Sequence, residues 1–216
     1  MDVPQELRVG FHKRLDAITQ KVVRLFALVT EGVASATDAL LGDDAEAARR
    51  VAAGEAEIDG LMVDLETELE QILLLEAPVA GELRYVLSVI RIVPELERSG
   101  DLAEHIAKRS GTGLSGDLPP AVRGIITRMS EVVVELWRAA ADAFVDRDAE
   151  AYHRLELLDD QVDALHGQLT GELIGAATPA PVAAEIALLA RFYERLGDHA
   201  VHMAKRLRWA VLGPAA

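Results

Sequence analysis

A thirteen-residue segment occurs twice in this 216-residue chain, and no other feature limits the fold as tightly. Glu97-Arg-Ser-Gly100-Asp101-Leu-Ala-Glu-His105-Ile-Ala-Lys108-Arg109 lies over Glu194-Arg-Leu-Gly197-Asp198-His-Ala-Val-His202-Met-Ala-Lys205-Arg206 at an offset of 97, with nine of thirteen positions identical. A looser match at an offset of 104 pairs Asp44, Glu46 and Arg50 with Asp148, Glu150 and Arg154, and Asp59, Leu65 and Leu69 with Asp163, Leu169 and Leu173. The two offsets differ by seven residues, so the second half is trimmed by seven between its second and third elements. Self-similarity of this kind means two copies of one supersecondary unit.

The unit is helical. Phe11, Leu15, Ile18, Val22, Phe26, Val29, Val33, Ala36 and Leu40 follow in steps of three and four, which is one face of a long helix. Gly42-Asp43-Asp44 stops it, and Asp43 or Asp44 is placed to cap the next helix. Val51, Ile58, Leu61, Leu65, Leu69 and Ile72 give the second helix, which must end near Ala77 because Pro78 restricts the residue before it. The third runs from about Val79 to Arg109, with Pro94 expected to kink or split it. Ser110 to Pro120 breaks the pattern and reads as a linker. Helices then restart over about 122–145, 149–176 and 182–212. No segment alternates with a period of two. The prediction is an all-α chain of two tandem three-helix bundles: six long helices with a pseudo-twofold internal repeat, the first unit over residues 1–112 and the second over 113–216.

Composition excludes several functions. The chain has 36 Asp and Glu against 22 Lys and Arg, a net charge of −14, which opposes direct nucleic-acid binding. It has no cysteine, hence no disulfide, thiolate metal site or cysteine nucleophile. The start, Met1-Asp2-Val3-Pro4, is acidic and mixed, so no signal peptide is expected. No uninterrupted apolar run approaches the roughly 18–20 residues of a membrane span. These features predict a soluble, cytoplasmic protein.

Both third helices carry acid, acid and imidazole four residues apart: Glu97, Asp101, His105 and Glu194, Asp198, His202. The second helices add Glu55 with Asp59, and Asp159 with Asp163. Residues at i, i+4 and i+8 share one helix face. If helices two and three of a unit face each other, four carboxylates and an imidazole converge. That donor set suits a divalent or trivalent cation such as Mn, Fe, Mg or Zn, with the imidazoles favouring a transition metal. His166 is placed to join the second group, although its counterpart is Met62. A lone acidic pair at this spacing is normally a solvated helix face; four pairs at equivalent places argue for a site. Gly100 and Gly197 lie between the acids, where a mid-helix glycine costs about 1 kcal/mol relative to alanine. Their repetition points to close helix approach or room for a ligand.

At Glu97-Arg-Ser-Gly-Asp101 and Glu194-Arg-Leu-Gly-Asp198 the chain resembles the PhoU family of phosphate-signalling proteins. Glu55-Ala-Glu-Ile-Asp59 and Pro78-Val-Ala-Gly-Glu-Leu-Arg84 lie in the same order, and the resemblance extends from about Phe11 to Arg208. It implies two three-helix bundles side by side, with multinuclear metal clusters on Glu55, Asp59, Glu97 and Asp101 and on Asp159, Asp163, Glu194 and Asp198. It implies a homodimeric, cytoplasmic regulator, peripheral to the membrane through its partners. Those partners would be a Pst-type phosphate ABC transporter and a phosphate-sensing histidine kinase. The role would be repression of phosphate uptake and of phosphate-starvation signalling, without enzyme activity. The chain departs from the family pattern at Ser99, usually aliphatic, at Glu82, usually Asp, and at His105 and His202, often Asn.

Two other readings compete. A ferritin-like carboxylate-bridged metal enzyme needs Glu-x-x-His on two helices of one core, and Glu150-Ala-Tyr-His153 is the only match. A metal-free helical scaffold would use the acidic faces for solubility alone.

Overall fold

The computed structural model describes residues 5–175 and 178–213. The described residues are almost entirely helical, with no strand: α1 Gln5–Gly42, α2 Ala45–Leu75, α3 Ala80–Ala107, α4 Leu114–Asp117, α5 Pro120–Asp146, α6 Ala151–Gly175 and α7 Ala180–Leu212. Helices α1–α3 form one up-down-up unit and α5–α7 the other.

The repeat extends to backbone detail. Burial in α1 and α5 keeps the offset of 104: Ile18, Val22, Leu25, Val29, Val33, Ala36 and Leu40 match Val122, Ile126, Met129, Val133, Trp137, Ala140 and Phe144, all buried. Asp43 and its counterpart Arg147 both adopt left-handed φ, 55° and 52°. The next residue caps in both units. Asp44 Oδ1 accepts from the N–H groups of Glu46 and Ala47 at 2.9 and 3.0 Å, and Asp148 Oδ1 from Glu150 at 2.9 Å. The Ala47 N–H foremost holds the Asp44 carboxyl below its ordinary range. Asp44→Ala should cost about 1 kcal/mol, read as a lower urea midpoint with an unchanged m-value.

The units join through α1 against α5 and α3 against α7, and the buried apolar residues form one continuous cluster. Phe26 of α1 meets Trp137 and Phe144 of α5, with ring centroids 6.0 and 5.6 Å apart. By length and mean hydropathy Val9–Gly42 is apolar enough to cross a membrane. Here its apolar face is the centre of the core, packed on α2, α3 and α5. Helices α3 and α7 run antiparallel. Arg84 Nε donates to the Ala210 carbonyl at 3.1 Å at one end, and Arg109 pairs with Glu185 at 2.7 Å at the other.

Two segments are more ordered than their breaker residues suggest. Pro94 does not split α3, which runs unbroken through it. Ile92, Val93 and Leu96 are buried on both sides of the proline, and the carbonyl it leaves unpaired belongs to Ile90 on the exposed face. The Ser110–Pro120 linker is not featureless either. It contains α4 and closes the end of α1, whose last carbonyls lack intrahelical donors. Ser110 Oγ donates to the Ala39 carbonyl at 2.9 Å, and both Ser115 Oγ and Arg123 Nη1 donate to that of Leu41 at 2.7 Å.

Candidate functional site

The paired acids face each other across two equivalent seams. In the first, Glu55 and Asp59 of α2 lie close enough to Glu97 and Asp101 of α3 for their charges to interact. Burial, then repulsion from Asp59 and Asp101, raises the Glu55 carboxyl above its ordinary value. Burial, then Asp101 and Asp59, does the same for Glu97. In the second seam Asp159 of α6 is affected most. Burial, followed by Asp163, Asp198 and Glu194, pushes its carboxyl up to about 7. Glu194 is raised by burial, against the opposing pull of Arg191.

The repeated glycines set how close the helices come. A Cβ on Gly100 would stand 2.7 Å from Ile58 Cδ1, and one on Gly197 would collide with Asp159 Oδ1. The first glycine therefore admits an apolar side chain, and the second admits a carboxylate. The same helix contact holds hydrocarbon in the first unit and a carboxylate, Asp159, in the second.

The imidazoles divide. His202 is exposed and lines a cleft with Asp159, Asp160, Asp198 and His153. His166 lies near Glu194, whose carboxyl it pulls down. His105 departs from the predicted grouping. Its ring stacks on Phe192 of α7, centroids 5.7 Å apart, and the Arg109 guanidinium covers the same ring at 4.9 Å. The aromatic partner across the bundle interface draws His105 toward α7.

The repeat comparison did not reveal His199. Its Nδ1 and Ser99 Oγ are 3.0 Å apart across the α3–α7 interface, and its Nε2 is 3.9 Å from Glu95. Burial holds the His199 imidazole below its ordinary value. The available signal was asymmetry: the equivalent of His199 is Leu102, and that of Ser99 is Leu196.

Among the described residues, no three carboxylate or imidazole groups already stand where one ion could be held. The donor chemistry still suits a hard cation. Each seam supplies four carboxylates, Glu194 Oε2 is buried without a hydrogen-bond partner, and Gly197 leaves the space that the Asp159 carboxylate fills.

Comparison with known proteins agrees with this architecture. The family model described as the PhoU domain matches residues 22–110 and 126–207. The Mycobacterium tuberculosis "Phosphate-specific transport system accessory protein PhoU homolog 1" is 35% identical over 210 residues, covering 96% of this chain and 95% of that protein. The Aquifex aeolicus "Phosphate-specific transport system accessory protein PhoU homolog" is 35% identical over 188 residues, covering 85% and 84%. The crystal structure of PhoU from Pseudomonas aeruginosa superposes with a TM-score of 0.86 at 25% identity, covering 94% of this chain and all of that one.

Proposed function

Because the chain belongs to the PhoU family, we propose that it is an accessory protein of a phosphate-specific transport system. In this reading it is a cytoplasmic, homodimeric, metal-dependent negative regulator. It acts between a Pst-type ABC transporter and a phosphate-sensing histidine kinase, and it catalyses no reaction of its own. The observation that carries the metal part is the carboxylate quartet repeated at two equivalent seams, with two carboxyls in each raised by burial and mutual repulsion. Glu55, Asp59, Glu97 and Asp101 would hold one cation or cluster. Asp159, Asp163, Glu194 and Asp198 would hold the other, with His202 at its edge. A bound divalent or trivalent cation (Fe, Mn, Zn or Mg) supplies positive charge that cancels this repulsion and ties α2 to α3 and α6 to α7. The chain's own basic residues act on the ligands: Arg191 pairs with Glu194, and the Arg98 charge opposes the rise of the Glu97 carboxyl.

The ferritin-like reading gains no support. The Glu150-x-x-His153 pair sits exposed at the start of α6, with His153 3.6 Å from Glu156.

The test is deletion with complementation. Loss of the gene should switch on phosphate-starvation genes at high phosphate. The wild-type chain should restore repression, and the Glu97→Ala/Asp101→Ala chain should not. Unchanged expression after deletion would overturn the regulatory reading. Full rescue by the double variant, together with metal content equal to wild type, would overturn the metal assignment.

A further inference from the structure

The duplicated Ala-Lys-Arg tails meet different surroundings. In the first unit, Lys108 pairs with Glu104 and Arg109 with Glu185. In the second, the offset of 97 puts Val201 where Glu104 stood, and Ser88 faces Arg206 where Glu185 faces Arg109. Ser88 Oγ donates to the Arg206 carbonyl at 3.2 Å. None of the described carboxylates forms an ion pair with Lys205 or Arg206.

Further cations collect at the same end. Arg91 lies over the Trp209 ring at 5.6 Å, and Lys205 and Arg208 lie over Tyr152 at 5.5 and 6.0 Å. Arg208 Nε is buried without a hydrogen-bond partner. At the other end of the molecule the equivalents of Arg91, Arg208 and Trp209 are Leu188, Gly111 and Thr112. In a chain with 36 acids, residues 83–94 of α3 and 199–212 of α7 contain none. Apolar groups lie among the cations: Trp209 is half-buried, and Ile90 and Leu212 are 38% and 48% exposed.

We propose that this end of the α3–α7 pair, built on Arg91, Lys205, Arg206 and Trp209, is a docking face for an anionic lipid bilayer. The cations are spread along two antiparallel helices, which suits a distributed negative surface better than a single ion. A half-exposed tryptophan with neighbouring Ile and Leu among basic groups is the composition that settles at a headgroup boundary. The net charge of −14 does not forbid this. The seam acid Asp101 lies about 15 Å along α3 from Arg91, beyond the screening length of about 8 Å at physiological salt, whereas Lys205 stands at the edge of the face, on the cleft that also holds Glu156, Asp159, Asp160 and Asp198. At Lys205 the face borders the second carboxylate seam.

The test is vesicle binding by the full chain. Phosphatidylglycerol–phosphatidylcholine vesicles should bind the protein, binding should weaken as salt rises, and brominated lipid should quench Trp209 while buried Trp137 persists. Arg91→Gln/Lys205→Gln/Arg206→Gln should bind on the order of 100-fold more weakly, about fivefold per charge. Lys108→Gln should match wild type, and circular dichroism should show both variants folded. Equal binding to pure phosphatidylcholine, no binding to either vesicle, or an unaffected triple variant would overturn the proposal. So would displacement by millimolar inorganic phosphate, which would indicate a site for a single ion, or tighter binding to polyglutamate than to vesicles, which would indicate an acidic protein partner.

Discussion

Gly197→Val should destabilise the protein by about 3 kcal/mol, while Gly197→Ala should leave stability within about 1 kcal/mol of wild type. A Cβ at this position collides with the Asp159 carboxylate, and its nearest carbon neighbours lie at 3.4 Å (Asp159 Cγ) and 3.9 Å (Val162 Cβ). Alanine displaces only the end of a side chain, and the gain of about 1 kcal/mol from replacing a helical glycine offsets that shift. Valine adds two γ-carbons to a filled seam, where overpacking costs roughly 1–3 kcal/mol, and it loses rotamer freedom as well. For a chain of this length the difference is a fall in Tm of roughly 6–12 °C. The alanine variant separates fold from site. It should remain folded yet lose tenfold or more in metal affinity at the second seam, measured by calorimetric titration.

The second large effect concerns charge. Asp159 has its carboxyl raised from 3.8 to about 7 in the folded protein. The folded state then holds a proton that the unfolded chain releases at lower pH, so stability falls as pH rises from about 4 to about 7. Metal-free protein should therefore be more stable near pH 5 than near pH 7.5 as far as this group is concerned. Asp159→Asn should remove most of that dependence. The residue is partly in contact with water, which screens the repulsion, so the gain at pH 7.5 is about 1–2 kcal/mol. Added divalent cation should stabilise the wild type at pH 7.5 and affect the variant much less. A wild type whose Tm does not change between pH 5 and 7.5, and which is indifferent to cations, would contradict the account.

The helices were legible because the apolar positions repeat every three or four residues over stretches too long to arise by chance. The duplication was legible because Glu-Arg-x-Gly-Asp keeps chemically distinctive residues in place. The carboxylate groups could be read for the same reason: each pair occupies one face of one helix, and the repeat supplies its partner. What could not be read depends on contacts between units. His105 turns to Phe192, and only the α3–α7 packing decides that. Pro94 sits in an unbroken helix because buried neighbours on both sides hold it. The linker's role at the end of α1 rests on hydrogen bonds from Ser110, Ser115 and Arg123, which no local pattern encodes.

The Ser99–His199 bridge has a consequence for symmetry. Its pseudo-symmetric counterpart pairs Leu102 with Leu196, both buried. Two identical three-helix subunits assembled about a true dyad would carry such a polar bridge twice or not at all. Joining the units in one chain frees each half to mutate alone, so the interface holds a hydroxyl–imidazole contact on one side of the axis and hydrocarbon on the other. The fused chain can thus give its two seams, and its two ends, different tasks.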